Sequence, residues 1–217
     1  MQPFSAAENK VLDQIIIQRQ TSRTFLPETP DKSLVEAIIE AGRLAPFGEL
    51  AVFKQTDFRK FFVIAATSGV ITELRQVVMA GLQKLVDNTL KPRVEQNPVL
   101  KVPIKAFSNI INSGSAQIGA APWFVIMAER RAEYPKVENV SLGYVMENMY
   151  LKATALGLGL QVISSIGITG GDDEQLCAIL GIRPGEFGLD ACNIGYTDKS
   201  SRLSPREVPV NSISWME

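Results

Sequence analysis

Residues 19–23, with the sequence Arg-Gln-Thr-Ser-Arg, place two guanidinium groups and two hydroxyl groups in one short stretch, called the arginine segment from here on. The stretch follows an apolar run with helical spacing and precedes Phe25 and Pro27, so it lies where a helix gives way to a loop. Arginine carries a permanent charge and a planar fork of donors that suits phosphate. Two interpretations remain open: solvated arginines that complement a helix dipole, or a site for a phosphate-bearing ligand.

The sequence contains no histidine, which excludes Ser-His-Asp and Cys-His catalysis, histidine-bearing zinc sites and the usual general base at neutral pH. No carboxylates at metal-ligand spacing replace it, so no metal site is predicted. Cys177 and Cys192 fit no motif and are expected to be small core residues. An enzyme with this inventory would depend on a bound cofactor for its chemistry.

The composition predicts one folded domain without a nucleic-acid or membrane partner. The chain has 217 residues, of which 46% are hydrophobic, and its net charge of −1 provides no basic field for nucleic acid. No segment reaches the roughly 20 apolar residues that span a bilayer. The N-terminus has no basic stretch followed by an apolar run, and two cysteines without a disulfide framework suit a reducing compartment. A cytoplasmic protein is therefore expected.

Capping signals and apolar spacing predict the helices. Ser5 and Glu8 form a capping box for a helix that fades near Arg19, and Thr29 with Pro30 opens a second helix that ends at Pro46. Apolar residues at helical spacing predict further helices at about 70–85, 104–111 and 141–156. A short helix is expected to start at Asp172 or Asp173 and to close at Gly181.

Short continuous apolar runs predict four buried strands at 61–66, 123–128, 161–165 and 188–194. Helices dominate, so the fold class is α+β with a mixed sheet. Among isolated polar residues, Asn109 is interpreted as part of a polar loop, and Glu147 with Asn148 as a buried, paired set on the 141–156 helix.

Five features in this order resemble the FMN-dependent nitroreductase family, over about residues 15–206. The arginine segment with Phe25 resembles the family's opening Arg-Arg-Ser-x-Arg-x-Phe. A helix ending in Ala-Pro with a nearby glycine follows, then Ala-Pro before a strand, then Lys-Ala-Thr-Ala-Leu-Gly-Leu-Gly at 152–159. The last feature is Leu-Gly-Ile at 180–182, a strand, and Ile-Gly-Tyr at 194–196.

The resemblance implies a single nitroreductase-like α+β domain over residues 1–217. Its central sheet would be mixed, mainly antiparallel, with about four to five strands flanked by helices. A variable helical excursion at about 70–118 would be able to cap the site, and an extended C-terminal tail would occupy about 197–217. Family members are typically intertwined homodimers with flavin at the subunit interface, so a homodimer is expected here.

The residues that match the family's FMN contacts fall into four groups. The phosphate contacts are assigned to Arg19, Gln20, Thr21 and Arg23, where Gln20 replaces the family's second arginine and Thr21 its serine. The loop against the flavin corresponds to Pro46, Phe47 and Gly48. The segment lining the ring corresponds to Ser164, Ser165, Ile166 and Gly167. The late basic residue over the phosphate corresponds to Arg202, with Lys199 and Arg206 as alternatives. No catalytic side chain is assigned, because the flavin carries the chemistry.

The resemblance implies an oxidoreductase that passes reducing equivalents from NADH or NADPH through FMN to a small organic acceptor, such as a nitroaromatic compound or a quinone. The chain departs from the family after Pro46, where the loop is longer and lacks the usual Asn and Gln-Pro-Trp. This departure motivates two alternatives: a flavin-binding sensor or carrier without turnover, or a specialised flavin enzyme such as a dehalogenase.

Overall fold

The computed structural model describes residues 2–48, 52, 54–198 and 213–216. Arg202, Lys199, Arg206 and most of the expected C-terminal tail therefore lie outside the described residues. The described part contains seven α-helices: α1 (Ala6–Gln18), α2 (Lys32–Arg43), α3 (Gly69–Leu85), α4 (Lys101–Ser113), α5 (Glu138–Ala155), α6 (Ser165–Thr169) and α7 (Glu174–Leu180). Its strands are β1 (Arg59–Ala65), β2 (Trp123–Arg130), β3 (Gly159–Val162) and β4 (Phe187–Gly195).

The four strands form one sheet in the order β1-β2-β4-β3, and every neighbouring pair is antiparallel. All four predicted strands are confirmed, with ends that differ by at most three residues. The described sheet is antiparallel throughout rather than mixed, because the one parallel contact is an isolated bridge between Thr21 and Leu160. Strands β1 and β3 are the two edges.

Alternation along the strands separates two cores. Residues such as Phe124, Ile126 and Ala191 face a core that contains the apolar stripe of α3. Their neighbours in sequence, such as Val125 and Cys192, face a second core with α2 and α5. The sheet is therefore covered by helices on both faces, which explains the continuous apolar runs of its central strands.

The start of α1 is confirmed and the start of α2 is wrong by two residues. Ser5 Oγ accepts from the backbone N–H of Glu8, and the Glu8 carboxylate accepts from the backbone N–H of Ser5 at 2.8 Å. Helix α2 begins at Lys32 after Asp31 as N-cap. Pro30 instead lies buried before the helix, where its carbonyl accepts a hydrogen bond from Trp123 Nε1 at 2.9 Å. A tertiary contact thus overrides the local signal of Thr29 and Pro30.

The excursion between β1 and β2 is a pair of helices joined by one π-helical turn and two 3₁₀ turns. Helix α3 continues into a π-helical turn and two short 3₁₀ turns before α4 begins. Helix α3 buries a stripe of apolar side chains, whereas none of the fully described residues of α4 is buried. Asn109 belongs to α4, so its interpretation as part of a polar loop is wrong.

The stretch between α1 and α2 crosses the end of the sheet. The backbone N–H of Ser22 donates to the carbonyl of Leu160 in β3 at 3.1 Å, and that of Leu26 donates to the carbonyl of Tyr196 at 2.8 Å. A Cβ on Gly159 would meet Thr197 and lie 2.5 Å from Ser22 Oγ, so only glycine allows this close approach. The arginine segment is thereby fixed beside the start of β3.

Cys177 and Cys192 are both free and buried, as expected for core residues. Burial raises the pKa of both thiols, so neither is a reactive thiolate at neutral pH. Within the described ranges, no three cysteine, aspartate or glutamate side chains gather as metal ligands. None of the described helices combines the length and apolar character needed to cross a membrane.

Candidate functional site

Arg19 is held against α5 by two contacts. It follows the last residue of α1 in an extended conformation, and its Nε lies 3.3 Å from Glu147 Oε1. Its guanidinium carbon lies 4.9 Å from the centre of the Tyr150 ring. The Arg19 side chain is only 14% exposed, whereas Glu147 is 53% exposed. Glu147 is therefore paired as expected but not buried, and its carboxylate occupies one side of a largely desolvated cation.

Thr21 belongs to a hydrogen-bonded cluster beneath the arginine segment. The Tyr150 hydroxyl lies 2.9 Å from Thr21 Oγ1 and 2.8 Å from the carbonyl oxygen of Leu160. That carbonyl also accepts from the backbone N–H of Ser22, so it is satisfied whichever acceptor receives the single Tyr150 proton. When Tyr150 donates to Thr21, the proton of Thr21 is free for another acceptor.

Burial raises the pKa of Tyr150, although the hydrogen bond with Thr21 and the charge of Arg19 oppose the shift. The phenol therefore stays protonated at neutral pH and acts as a fixed neutral support. Gln20 is half-buried, whereas Arg23 is exposed. The structure thus brings Arg19, Gln20 and Thr21 to the start of β3, and leaves Arg23 at the surface of the same segment. Their phosphate roles remain predictions.

A cavity of about 330 Å³ lies at the other end of β3. Its lining includes Ser164 and Ser165 just after the end of β3, together with Phe107, Asn109 and Ile110 of α4. Part of the excursion therefore lines this cavity, whereas its role as a cap over a bound ligand stays a prediction. Because a strand rises about 3.3 Å per residue, Leu160 and Ser164 are at most roughly 13 Å apart. The arginine segment and the cavity suit the two ends of one elongated ligand.

Ile166 and Gly167 pack against the core and the sheet instead of lining the cavity. The Ile166 side chain is fully buried in the core with α3, so only its backbone is available to a ligand. A Cβ on Gly167 would lie 2.6 Å from the carbonyl oxygen of Leu189 in β4, so glycine lets this turn pack against the sheet. The turn forms the short helix α6, where the sequence predicted the end of a strand.

The loop after α2 is fixed from below by a buried ion pair. Arg59 and Glu129 face each other across β1 and β2, with Arg59 Nε 2.6 Å from Glu129 Oε2 and side-chain exposures of 4% and 2%. Arg59 Nη1 also donates to the carbonyls of Gly42 at 3.1 Å and Ala45 at 3.0 Å. The pair therefore joins the end of α2 to the sheet.

Pro46 and Phe47 are exposed in this loop, Gly48 is half-buried, and the Phe47 ring lies 4.5 Å from that of Phe58. Strand β1 lies beside this loop, and three strand spacings, roughly 14 Å, separate β1 from β3. Within the described part of one chain, the loop is therefore not brought together with the arginine segment and Ser164.

Two buried carboxamides beside the cavity were missed from the sequence. Gln161 of β3 and Asn193 of β4 are partners in the sheet register and are 7% and 0% exposed. Asn193 Nδ2 donates to the backbone carbonyl of Gln117 at 2.8 Å and to Gln161 Oε1 at 3.2 Å. Polar residues at inward positions of two apolar strands were the available signal.

The family model of the nitroreductases matches residues 16–198. The chain belongs to the nitroreductase family. No curated protein matches the sequence. The resemblance drawn from five short features is therefore confirmed for nearly the whole described chain, and the nitroreductase fold accounts for the antiparallel sheet with helices on both faces.

Solved structures of nitroreductases show the same fold. A nitroreductase with bound FMN from Bacteroides fragilis superimposes with a TM-score of 0.72 at 20% identity, covering 95% of this chain and 98% of that one. A nitroreductase with bound FMN from Desulfitobacterium hafniense DCB-2 gives a TM-score of 0.66 at 22% identity, with coverages of 95% and 98%. NfnB, an FMN- and NADPH-dependent nitroreductase from Sphigopyxis sp. strain HMH, gives 0.65 at 14% identity, with coverages of 95% and 99%.

Proposed function

We propose that this nitroreductase-family protein binds FMN and passes reducing equivalents from NADH or NADPH to a small organic acceptor, such as a nitroaromatic compound or a quinone. The placement of the arginine segment and of the cavity at opposite ends of β3 carries the proposal. The Bacteroides and Desulfitobacterium neighbours support it because both hold FMN, and NfnB supports a nicotinamide donor because it is described as NADPH-dependent.

The residues present fit such a cofactor. FMN carries a phosphate at one end and a planar ring with polar edges at the other, joined by a flexible polyhydroxyl chain. Arg19 and Arg23 offer positive charge for the phosphate, and Gly159 leaves the segment free of an obstructing side chain. The cavity offers apolar walls at Phe107 and Ile110 and the hydroxyls of Ser164 and Ser165.

When bound, FMN would supply the hydride chemistry. The chain's own residues would bind and orient the cofactor and would exclude water from it. Arg19 would balance phosphate charge in place of the exposed Glu147 carboxylate, and Tyr150 would hold Thr21 in position. Phe107 and Ile110 would exclude water from the ring, which strengthens every hydrogen bond made there. Protons would come from water, because the chain has no histidine.

We also propose a two-fold homodimer in a reducing cytoplasm. No residue of the fully described helix α1 is buried, and its apolar Val11, Leu12, Ile16 and Ile17 are 49–66% exposed. The loop of Pro46 and Phe47 lies too far from β3 to reach it within one chain, so a second copy would be needed to supply it. Light scattering after gel filtration is expected to give twice the monomer mass, and Ile17→Asp to give the monomer.

Anaerobic mixing of the FMN-loaded protein with NADH and with NADPH tests the turnover part. At least one nucleotide should bleach the flavin absorbance, and a quinone or nitroaromatic compound should restore it. If neither nucleotide bleaches bound flavin, the oxidoreductase proposal is wrong. The sensor or carrier alternative would then be favoured, in line with the bulky, exposed Phe47 in the altered loop.

A further inference from the structure

The buried carboxamide pair of Gln161 and Asn193 stands at positions that the strand alternation gives to apolar residues. In β4, Leu189 and Ala191 precede Asn193 on the same face, and both belong to the core with α3. Buried polar side chains that replace apolar ones lower stability unless their hydrogen bonds are complete or have another use. This pair therefore calls for a reason beyond packing.

The hydrogen bonds of the pair are incomplete within the described chain. Asn193 uses its Nδ2 group twice, but its buried Oδ1 has no partner among the described residues. Gln161 accepts from Asn193 through Oε1, which leaves its Nε2 group as a donor. Gln161 also lines the 330 Å³ cavity, so this donor is available to a ligand there.

The hydrogen bond from the Asn193 side chain to the Gln117 carbonyl also holds a strained loop beside the cavity. Ala116 and Gln117 both have left-handed backbone conformations, with φ of +46° and +60°, and both line the cavity. Non-glycine residues adopt this conformation only where their surroundings fix it, and such strain is frequent at ligand sites. Asn193 thus fixes the Gln161 side chain and the Gln117 carbonyl together.

We propose that Gln161 donates a hydrogen bond through Nε2 to the ring of the bound cofactor, and that Asn193 is the residue that positions it. This inference rests on the proposed function. A flavin ring has carbonyl and nitrogen acceptors along one edge and gains negative charge when two electrons reduce it. The hydrogen bond from a buried neutral donor becomes stronger when its acceptor becomes anionic. Gln161 therefore raises the reduction potential of the bound flavin.

The test compares Gln161→Met, which keeps side-chain length and removes the donor, with Gln76→Met on the exposed face of α3. Dissociation constants for FMN and for riboflavin, which lacks the phosphate, are measured by fluorescence, and midpoint potentials by spectroelectrochemistry. In Gln161→Met, the affinities for oxidised FMN and for riboflavin should both fall by about threefold, because the two ligands share the ring. The ratio of affinities for reduced and oxidised FMN should fall about tenfold, a potential about 30 mV more negative.

A separate set of variants tests whether Asn193 positions Gln161. Asn193→Ala should shift the potential in the same direction by less, and should add no further shift in the Gln161→Met background. Gln161→Glu provides a second variant of nearly the same shape, whose carboxylate opposes the reduced anion, so its potential should fall further. Thermal melting confirms that each variant is folded.

The outcomes separate this inference from the proposed function. If the wild-type protein binds neither FMN nor riboflavin, the proposed function fails, and this inference fails with it. If the wild-type protein binds FMN but Gln161→Met and Gln161→Glu match Gln76→Met in riboflavin affinity and potential, only the role of Gln161 is overturned. A shift confined to FMN affinity, without a change for riboflavin, would also overturn it.

Discussion

Removing the Tyr150 hydroxyl should weaken both the fold and the phosphate site. Tyr150→Phe deletes one oxygen that lies within hydrogen-bond distance of Thr21 and of the Leu160 carbonyl. The Leu160 carbonyl keeps its bond from Ser22, so the loss is close to one buried hydrogen bond, or about 1 kcal/mol. For a chain of this size, that free energy lowers Tm by about 2–4 °C.

The same change should weaken FMN binding about fivefold, the equivalent of about 1 kcal/mol, because Thr21 loses the partner that orients it. Tyr144→Phe is the matched control, since Tyr144 is a half-exposed tyrosine on the same helix. Thermal melting and fluorescence titration with FMN measure the two effects. A double-mutant cycle with Thr21→Val should show non-additive losses. If Tyr150→Phe and Tyr144→Phe behave alike in both assays, the supporting role of Tyr150 is refuted.

Three further changes test the framework around the site. Gly159→Ala should displace the arginine segment and lower stability by about 1–3 kcal/mol, whereas Gly143→Ala, with open space around its Cβ, should be neutral or stabilising in the same melt. Glu129→Ala leaves the Arg59 charge buried and unpaired, so the denaturant midpoint should indicate a loss of about 3–5 kcal/mol; a loss under about 1 kcal/mol would contradict the buried pair. Hydrogen bonds from two arginines lower the pKa of Glu186 from 4.5 to about 2, so its stabilisation is present above pH 4.5 and disappears as the pH falls towards 2. The Tm of Glu186→Gln should therefore fall less than that of the wild-type protein between pH 5 and pH 2. Equal falls in Tm would contradict a contribution of the Glu186 carboxylate to stability.

The sequence predicts most of the secondary structure because its signals are local. The capping box of α1, the N-cap of α7 at Asp173 and the left-handed glycine at 181 depend on a few neighbouring residues. The local signal of Thr29 and Pro30 predicts the start of α2 two residues too early, because Pro30 makes a contact with Trp123 far along the chain. Helix α6 was missed because its five residues give too short a pattern to distinguish from a strand end.

The residues of the candidate site are likewise predictable from the sequence only in part. The arginine segment was visible because several phosphate donors are adjacent in sequence. Tyr150, Gln161 and Asn193 were not, because their importance comes from partners brought together by the sheet register. The separation of Pro46 from β3 was also hidden, since it depends on the strand order. Spacing within one element can be predicted from sequence, whereas pairing between distant elements has to be observed.

The most direct test of the central claim is the flavin content of the purified protein. We expect a yellow protein that retains close to one FMN per chain, identified after release, and that rebinds FMN after stripping. Arg23→Ala should weaken rebinding of FMN but not of riboflavin, whereas Arg93→Ala, an exposed arginine in the excursion, should change neither. A colourless protein that does not bind added FMN, or an Arg23→Ala variant with unchanged FMN affinity, would contradict the account of this site.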